Sequence, residues 1–246
     1  LGLVGMFALI ALHIPIGVAM AVAGAIGFAI LGGVMPALSL FSTEPVSVLA
    51  SMDLAVIPLF ILMGSLATQA SLTTDLYRAA FNWLGRLPGG LAMATTLASA
   101  AFGAACGSSV VNAAVFTRMA LPEMTKYGYS KRLSAGCIAA SGTLASLIPP
   151  SILMVVYAII TEQSVGVLLI AGLVPGIMSA SIYMLGIYIR AKRNPEIAPI
   201  PNIRISWNER FRSLYGVWGV LFLFMLVIGG IYAGFFTPTY AGAVGA

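Results

Sequence analysis

Apolar residues run along this chain in long unbroken stretches, at 3–33, 54–67, 164–189 and 214–236, without alternation of polar and apolar positions. A half-buried strand alternates its side chains between two faces, so runs of this kind read as helices. A helix crosses a bilayer core with roughly 20 residues, and these stretches reach or approach that length. Backbone polar groups in lipid must be paired within a helix or around a closed barrel, and the lack of alternation removes the barrel. The pattern therefore predicts an all-α polytopic membrane protein. Residues 1–13 read as the end of a first helix, His13-Ile14-Pro15 as a break, and 15–33 as a second helix. Residues 54–70 return, with Pro58 either kinking the helix or beginning a new segment. Further crossings are expected at 131–160, 164–189 and 213–236, with the proline-bearing 194–212 as a connection.

Composition agrees with this reading. The chain is 60% hydrophobic and 8% charged, with a mean hydropathy of +1.04, whereas a soluble domain carries about 25% charged residues. The net charge of +5 matters less than its placement. Lys and Arg fall in clusters at 78–86, 118–132 and 190–212, while the connections 34–53 and 161–164 hold Glu44, Asp53 and Glu162 and no basic residue. Positive short loops face the cytoplasm, so these clusters are expected there, in a bacterial or archaeal inner membrane. They are explained as topology determinants, and no nucleic-acid partner is expected. The stretch "SLTTDLYRAAFNWLGRLPGG", 71–90, mixes charge with Leu76, Tyr77, Phe81 and Trp83 and suits an amphipathic helix lying in the interface. The two cysteines, Cys106 and Cys137, have no paired spacing, so neither a disulfide frame nor a metal site is indicated. The opening "LGLVGMFALI" and the closing "AGAVGA" read as the ends of a piece of a longer chain.

Two polar stretches interrupt the hydrocarbon. The first, "GAACGSSVVNAA", 103–114, lies inside a segment, 87–125, that begins and ends on the basic side. Two full spans would put its turn outside; a re-entrant hairpin would put the turn near the midplane. Arg118 follows Ser109 by nine residues, ~14 Å of helix. With the turn outside, Arg118 would sit near the centre of a roughly 30 Å core, costing at least ~2.5 kcal/mol. The hairpin is the cheaper arrangement. Cys106 and Gly107 would form its tip, with Gly107 allowing the sharp turn, and Ser108 and Ser109 would cap the second helix.

The second stretch, "ASGTLASLIPPSI", 140–152, should break the next span into 131–145 and 151–160. Gly142 and Thr143 tolerate departure from helix, and Pro149 and Pro150 remove two consecutive amide donors. Unwound backbone at membrane depth survives only where it lines a protein-enclosed cavity. Carbonyls ahead of the prolines suit a small hard cation such as Na⁺, and the helix starting near Ser151 offers its positive end to an anion. A hairpin tip opposed to a broken helix is the geometry of midplane sites in secondary transporters. Small residues such as Ala98, Ala101, Ala104, Gly107 and Ala114 also serve plain helix packing, and Asn112 is open to either role. None of the seven acidic residues, Glu44, Asp53, Asp75, Glu123, Glu162, Glu196 and Glu209, falls at the predicted midplane, so coupling by a carboxylate-borne proton is not expected.

Along "CGSSVVNAA", "PEMTKYGYS", "AASGTLASLIPPSILMVVYAII" and "LIAGLVPGIM" the sequence resembles the large permease subunit of TRAP transporters, the DctM-like family. "LAVIPLFILMGSLA", "RLPGGLAMATTLASAAF" and "GGIYAGFFTPTYAGAVGA" match in the same order. The resemblance implies the first inverted repeat of an elevator-type transporter of the ion-transporter-superfamily kind. It divides the chain into scaffold-type helices plus the interfacial helix (1–86), the re-entrant hairpin (87–125), the broken helix and following span (126–193), and a connection, span and start of a second repeat (194–246). It further implies a sodium-driven importer of carboxylates such as C4-dicarboxylates or sugar acids. Na⁺ would be the coupling ion, with no other cofactor, and the partners a small membrane subunit and a periplasmic substrate-binding protein. By the same resemblance Ser108, Ser109, Ala145, Ile148 and Pro150 would bind sodium, and Ser109, Pro150 and Ser151 the substrate, with Asn112 added by position. Cys106 stands where the family usually has Ser, Ala145 where Gly is common, and Tyr240 where Glu is usual. The second repeat is expected beyond this segment, which should not transport alone. Other classes weighed are a sodium/dicarboxylate symporter without a binding protein, a non-transporting scaffold, and a serine hydrolase. The hydrolase would need His13, about 95 residues before Ser108, as its base.

Overall fold

The computed structural model describes residues 2–50, 52–201 and 205–246, with the side chains of Leu49, Met52 and Asp53 outside the description. The predicted roles of Asp53 and Arg204 fall outside the described residues. Among those residues all regular structure is helical, as the unbroken apolar runs predict. Two helices, Val165–Arg193 and Trp207–Tyr232, are long and apolar enough to cross a membrane, and a third span results if Val56–Gln69 and Leu72–Leu84, bent by 63°, are joined.

By compactness the chain divides into Leu1–Leu54 and Ala55–Ala246. In the first unit α1 (Gly2–Ala11) packs on α2 (Ile16–Gly32), which packs on α3 (Val34–Leu49). The break expected at His13 is present, with His13 in the left-handed region (φ 64°). Among the described apolar side chains here, Ala19 and Ala37 are buried, and Leu31 is 90% exposed. An apolar exterior of this kind matches a hydrocarbon surround rather than water. Residues 34–53, expected to be a loop, are mostly helix. Pro36 sits in the first turn of α3, where a missing amide costs nothing, while Pro45 is accommodated inside the helix.

The second unit is built around α6 (Gly90–Cys106), buried on nearly every side. Its Leu91, Phe102 and Ala105 meet Leu76, Tyr77 and Ala80 of α5 (Leu72–Leu84), Phe116 and Met124 of α7 (Ser109–Lys126), and Ile138 of α8 (Lys131–Gly142). The amphipathic face of α5 is therefore covered by protein, against α6 and α11 (Trp207–Phe224). Residues 55–86 accordingly pack with the hairpin segment by contact. A second cluster joins Phe60 and Met63 of α4 (Val56–Gln69), Val155 of α9 (Ile152–Ile160), Leu169 of α10 (Val165–Arg193), and Val227 and Ala241. Pro58 begins a new segment, standing in the first turn of α4. The helix α11 starts at Trp207, earlier than the predicted 213, because Ser206 and Glu209 form a reciprocal capping box. It continues through a π-helical turn (Met225–Gly229) into α12 (Gly230–Tyr232), followed by α13 (Pro238–Gly245).

Candidate functional site

The stretch 103–114 folds as a tight helical hairpin. Cys106 ends α6, Gly107 turns in the left-handed region (φ 62°), and Ser108 in extended conformation is the N-cap of α7. The Ser108 hydroxyl accepts from the Val111 amide at 3.5 Å, and the Cys106 thiol donates to the Ser108 carbonyl at 3.6 Å. Ser109 is the first helical residue, so only Ser108 caps. Both serines are half-buried, whereas Cys106 is 2% exposed.

The stretch 140–152 breaks earlier than expected. α8 stops at Gly142, a 3-10 turn spans Thr143–Ser146, and α9 begins at Ile152 behind Ser151 as N-cap. Pro149 and Pro150, joined by a cis peptide bond, have no amide hydrogens. In a continuous helix Pro149 would have served the Ala145 carbonyl and Pro150 that of Ser146. Ser146 recovers a donor from the Ser151 hydroxyl at 2.8 Å, and Ser151 in turn accepts from the Met154 amide at 3.3 Å. Ala145 is given no substitute by its proline, and so retains an oxygen free for another partner.

The two stretches meet. The Ile152 amide donates to the Gly107 carbonyl at 3.1 Å, so the first amide of α9 is satisfied by the hairpin tip. A Cβ on Gly107 would lie 2.7 Å from the Pro150 carbonyl oxygen. Deeper along the hairpin, a Cβ on Gly103 would lie 2.9 Å from Ala145 Cα, and one on Gly142 would lie 2.9 Å from Ala113 Cβ and 3.4 Å from the Ser109 carbonyl oxygen. Ala145 and Ser151 are fully buried, Ile148 is 7% exposed, and Pro149 and Pro150 are buried. Thr143 is exposed and donates to the Ala140 carbonyl at 2.7 Å. Thus Gly107, Ala145, Pro150 and Ser151 of the turn and the break lie with the adjoining helix ends at Ser109 and Gly142 in one interlock.

Asn112 does not join it. Its amide is spent inside the hairpin, where Oδ1 accepts from the Ser99 hydroxyl at 3.1 Å and Nδ2 donates to the Ser99 carbonyl at 2.9 Å. Fully buried, it ties α6 to α7. Ser99 was not foreseen. Neither was Gly64, where a Cβ would stand 2.7 Å from Cys106 Cα, so α4 braces the tip from the other side. The only sequence signals were small residues at helical spacing, which serve many packings equally well.

A helical chain with helices long and apolar enough to cross a membrane, and a hairpin tip joined to a broken helix, has an architecture of the kind found in membrane permeases. The profile described as "Tripartite ATP-independent periplasmic transporter, DctM component" matches residues 3–246, and the chain belongs to that family. It is 42% identical over 194 residues to the C4-dicarboxylate TRAP transporter large permease protein DctM of Pseudomonas aeruginosa, covering 78% of this chain and 44% of that protein. It is 33% identical over 240 residues to the ectoine TRAP transporter large permease protein TeaC of Halomonas elongata (97% and 55%). To the sialic acid TRAP transporter large permease protein SiaM of Vibrio cholerae it is 31% identical over 192 residues (78% and 44%). The chain spans about half the length of these relatives. They are permease components rather than enzymes, which disposes of the hydrolase reading of Ser108 and Ser109.

Proposed function

We propose that this chain is the first repeat of the large permease of a sodium-coupled, binding-protein-dependent importer of small organic acids in the inner membrane. It would work by an elevator movement, with a small membrane subunit and a periplasmic binding protein as partners and the basic loops facing the cytoplasm. The observation that supports the reading is the Ile152–Gly107 hydrogen bond, which joins the tip of the helical hairpin to the broken helix. The oxygens that would hold the ion are neutral: the carbonyls of Ala145, Ile148 and Pro150 with the hydroxyls of Ser108 and Ser109. Such dipoles suit Na⁺ without a buried carboxylate, and the first turn of α9 behind Ser151 presents a positive end to a carboxylate. The Ser151 hydroxyl is committed to the break itself, so its part in substrate binding is to fix that helix end.

The relatives named for C4-dicarboxylate and sialic acid transport favour a carboxylate substrate. The test is uptake of labelled succinate and sialic acid by the full-length permease with its small subunit and binding protein in proteoliposomes. Uptake of one of these acids should require an inward sodium gradient and the binding protein, and should fall with Ser109→Ala. Uptake unaffected by replacing sodium with choline would overturn the sodium reading. Uptake without the binding protein would instead identify a direct symporter.

A further inference from the structure

A cavity of about 520 Å³ lies between α5 and the start of α11, away from the hairpin, and carries charges that the transport reading does not use. Arg78, Arg212, Asp75, Glu209, Asn82 and Ser213 line it. Two cations and two carboxylates sum to zero across one space, and no ion pair within 4.0 Å joins these four groups. Asp75, Asn82 and Ser213 are half-buried and form its base, while Arg78, Arg212 and Glu209 are exposed at its rim. The helices close tightly below, where a Cβ on Gly216 would stand 2.8 Å from Asp75 Cβ.

We infer that this cavity binds a zwitterionic phosphate–ammonium group of the phosphoethanolamine type, supplied by a membrane lipid headgroup. A simple anion would leave Asp75 unmatched and would face the charge of Glu209, whose carboxylate already accepts from the Ser206 amide at 2.8 Å, and a simple cation would leave the two arginines unmatched. A phosphate diester at the rim meets two guanidiniums, whose planar forks suit its oxygens. The tethered primary ammonium reaches the base, where the Asp75 carboxylate, Asn82 and Ser213 accept its three N–H donors. A choline group has no such donors and calls for an aromatic cage; Phe81 is the one ring among the lining residues. The neighbourhood points to lipid as the source. Trp83 meets Phe211 edge-on at 5.9 Å and Trp207 stacks on Phe211 at 6.4 Å, and Trp207, which opens a candidate span, is 67% exposed. Exposed Trp and Tyr at a helix end mark the headgroup level.

The test uses the full-length permease in nanodiscs containing equal phosphatidylethanolamine, phosphatidylcholine and phosphatidylglycerol of matched chains, with retained lipid read by native mass spectrometry. Phosphatidylethanolamine should be retained in about tenfold excess, the change one charge-assisted hydrogen bond supports. Asp75→Asn and Arg212→Gln should each return retention toward the bulk ratio. Soluble O-phosphoethanolamine that stabilises the protein without any lipid being retained would keep the chemistry but assign it to a solute. Wild-type retention at the bulk ratio with no effect of the solute, or a preference unchanged in both variants, overturns the inference. Should a variant fail to fold, the wild-type lipid ratio alone decides.

Discussion

Gly107→Ala is the substitution the interlock makes most consequential. At φ 62° an L side chain is strained, costing about 1–2 kcal/mol. The new Cβ would fall 2.7 Å from the Pro150 carbonyl oxygen, and that neighbour is backbone and cannot rotate away. Relief requires the tip to withdraw from α9, which lengthens the 3.1 Å Ile152–Gly107 hydrogen bond. Leaving a buried amide and carbonyl unpaired costs a further ~1–3 kcal/mol. The expected loss is about 3 kcal/mol, roughly a hundredfold in the population of the closed interlock. Gly136→Ala is the control, since nothing lies within 4 Å of its Cβ and alanine is the better helix former by ~0.5–1 kcal/mol. Thermal unfolding of the full-length permease in sodium and in choline should show Gly107→Ala melting lower and losing its sodium response, with Gly136→Ala melting no lower than wild type and keeping that response. A Gly107→Ala protein with wild-type melting and wild-type sodium response would refute the reasoning, because the tip would then have room that the geometry denies it.

Ser151→Ala removes an N-cap and the donor to the Ser146 carbonyl together, and should destabilise by about 2 kcal/mol; a melting curve equal to wild type would show that water replaces both bonds. Asn112→Ala strands the Ser99 hydroxyl and carbonyl inside the hairpin, so Asn112→Ala should melt lower by the equivalent of ~2–3 kcal/mol, with Ser99→Ala Asn112→Ala little worse than the single variant. Cys106 and Cys137 are 2% and 6% exposed, so maleimide should label both slowly, while Ser108→Cys should label faster and slow down in sodium; sodium-indifferent labelling would argue against an ion at the tip. Burial pushes the Tyr129 phenol, in the connection after α7, from 10.0 up to about 12. The unfolded chain therefore ionises first, and stability should fall as pH rises through that window. Tyr129→Phe should lessen the alkaline loss, while costing stability at neutral pH through the acceptor it removes from the Leu91 amide, 3.2 Å away.

Local chemistry made much of this legible. Gly107 followed by two serines suits a turn and a helix restart, and two prolines in sequence remove two amide donors, so both polar stretches stood out in the residues, although small residues there also suit plain packing. What escaped were effects decided by neighbours. Residues 34–49 carry Pro36, Pro45, Ser and Thr, which favour a loop in isolation, yet they form α3 in an apolar setting where an unpaired backbone would be dearer than an imperfect helix. The helix stops at Gly142, one of the residues named for the break, but three residues short of the expected 145, and Gly142 lies close against Ala113 of the hairpin. The amphipathicity of α5 was plain, but its pattern does not say whether lipid or α6 covers the apolar face. Asn112 suits a ligand as well as a seam by sequence, and its partner in the fold, Ser99, lies thirteen residues earlier, where no sequence signal pairs the two.

The Gly107–Ile152 bond has a consequence for biosynthesis. Its acceptor is made 45 residues before its donor, and a ribosome adding about 5–20 residues per second leaves an interval of roughly 2–9 s. Throughout that interval the hairpin has been translated but its tip carbonyl has no partner from α9. A bare carbonyl is costly in hydrocarbon, so the nascent hairpin is best kept at the water boundary or inside the insertion machinery until α9 emerges. Insertion of this segment is thereby timed by translation: pausing between Gly107 and Ile152 prolongs the exposed state, and a chain truncated in that window leaves a hairpin without the amide that seats it.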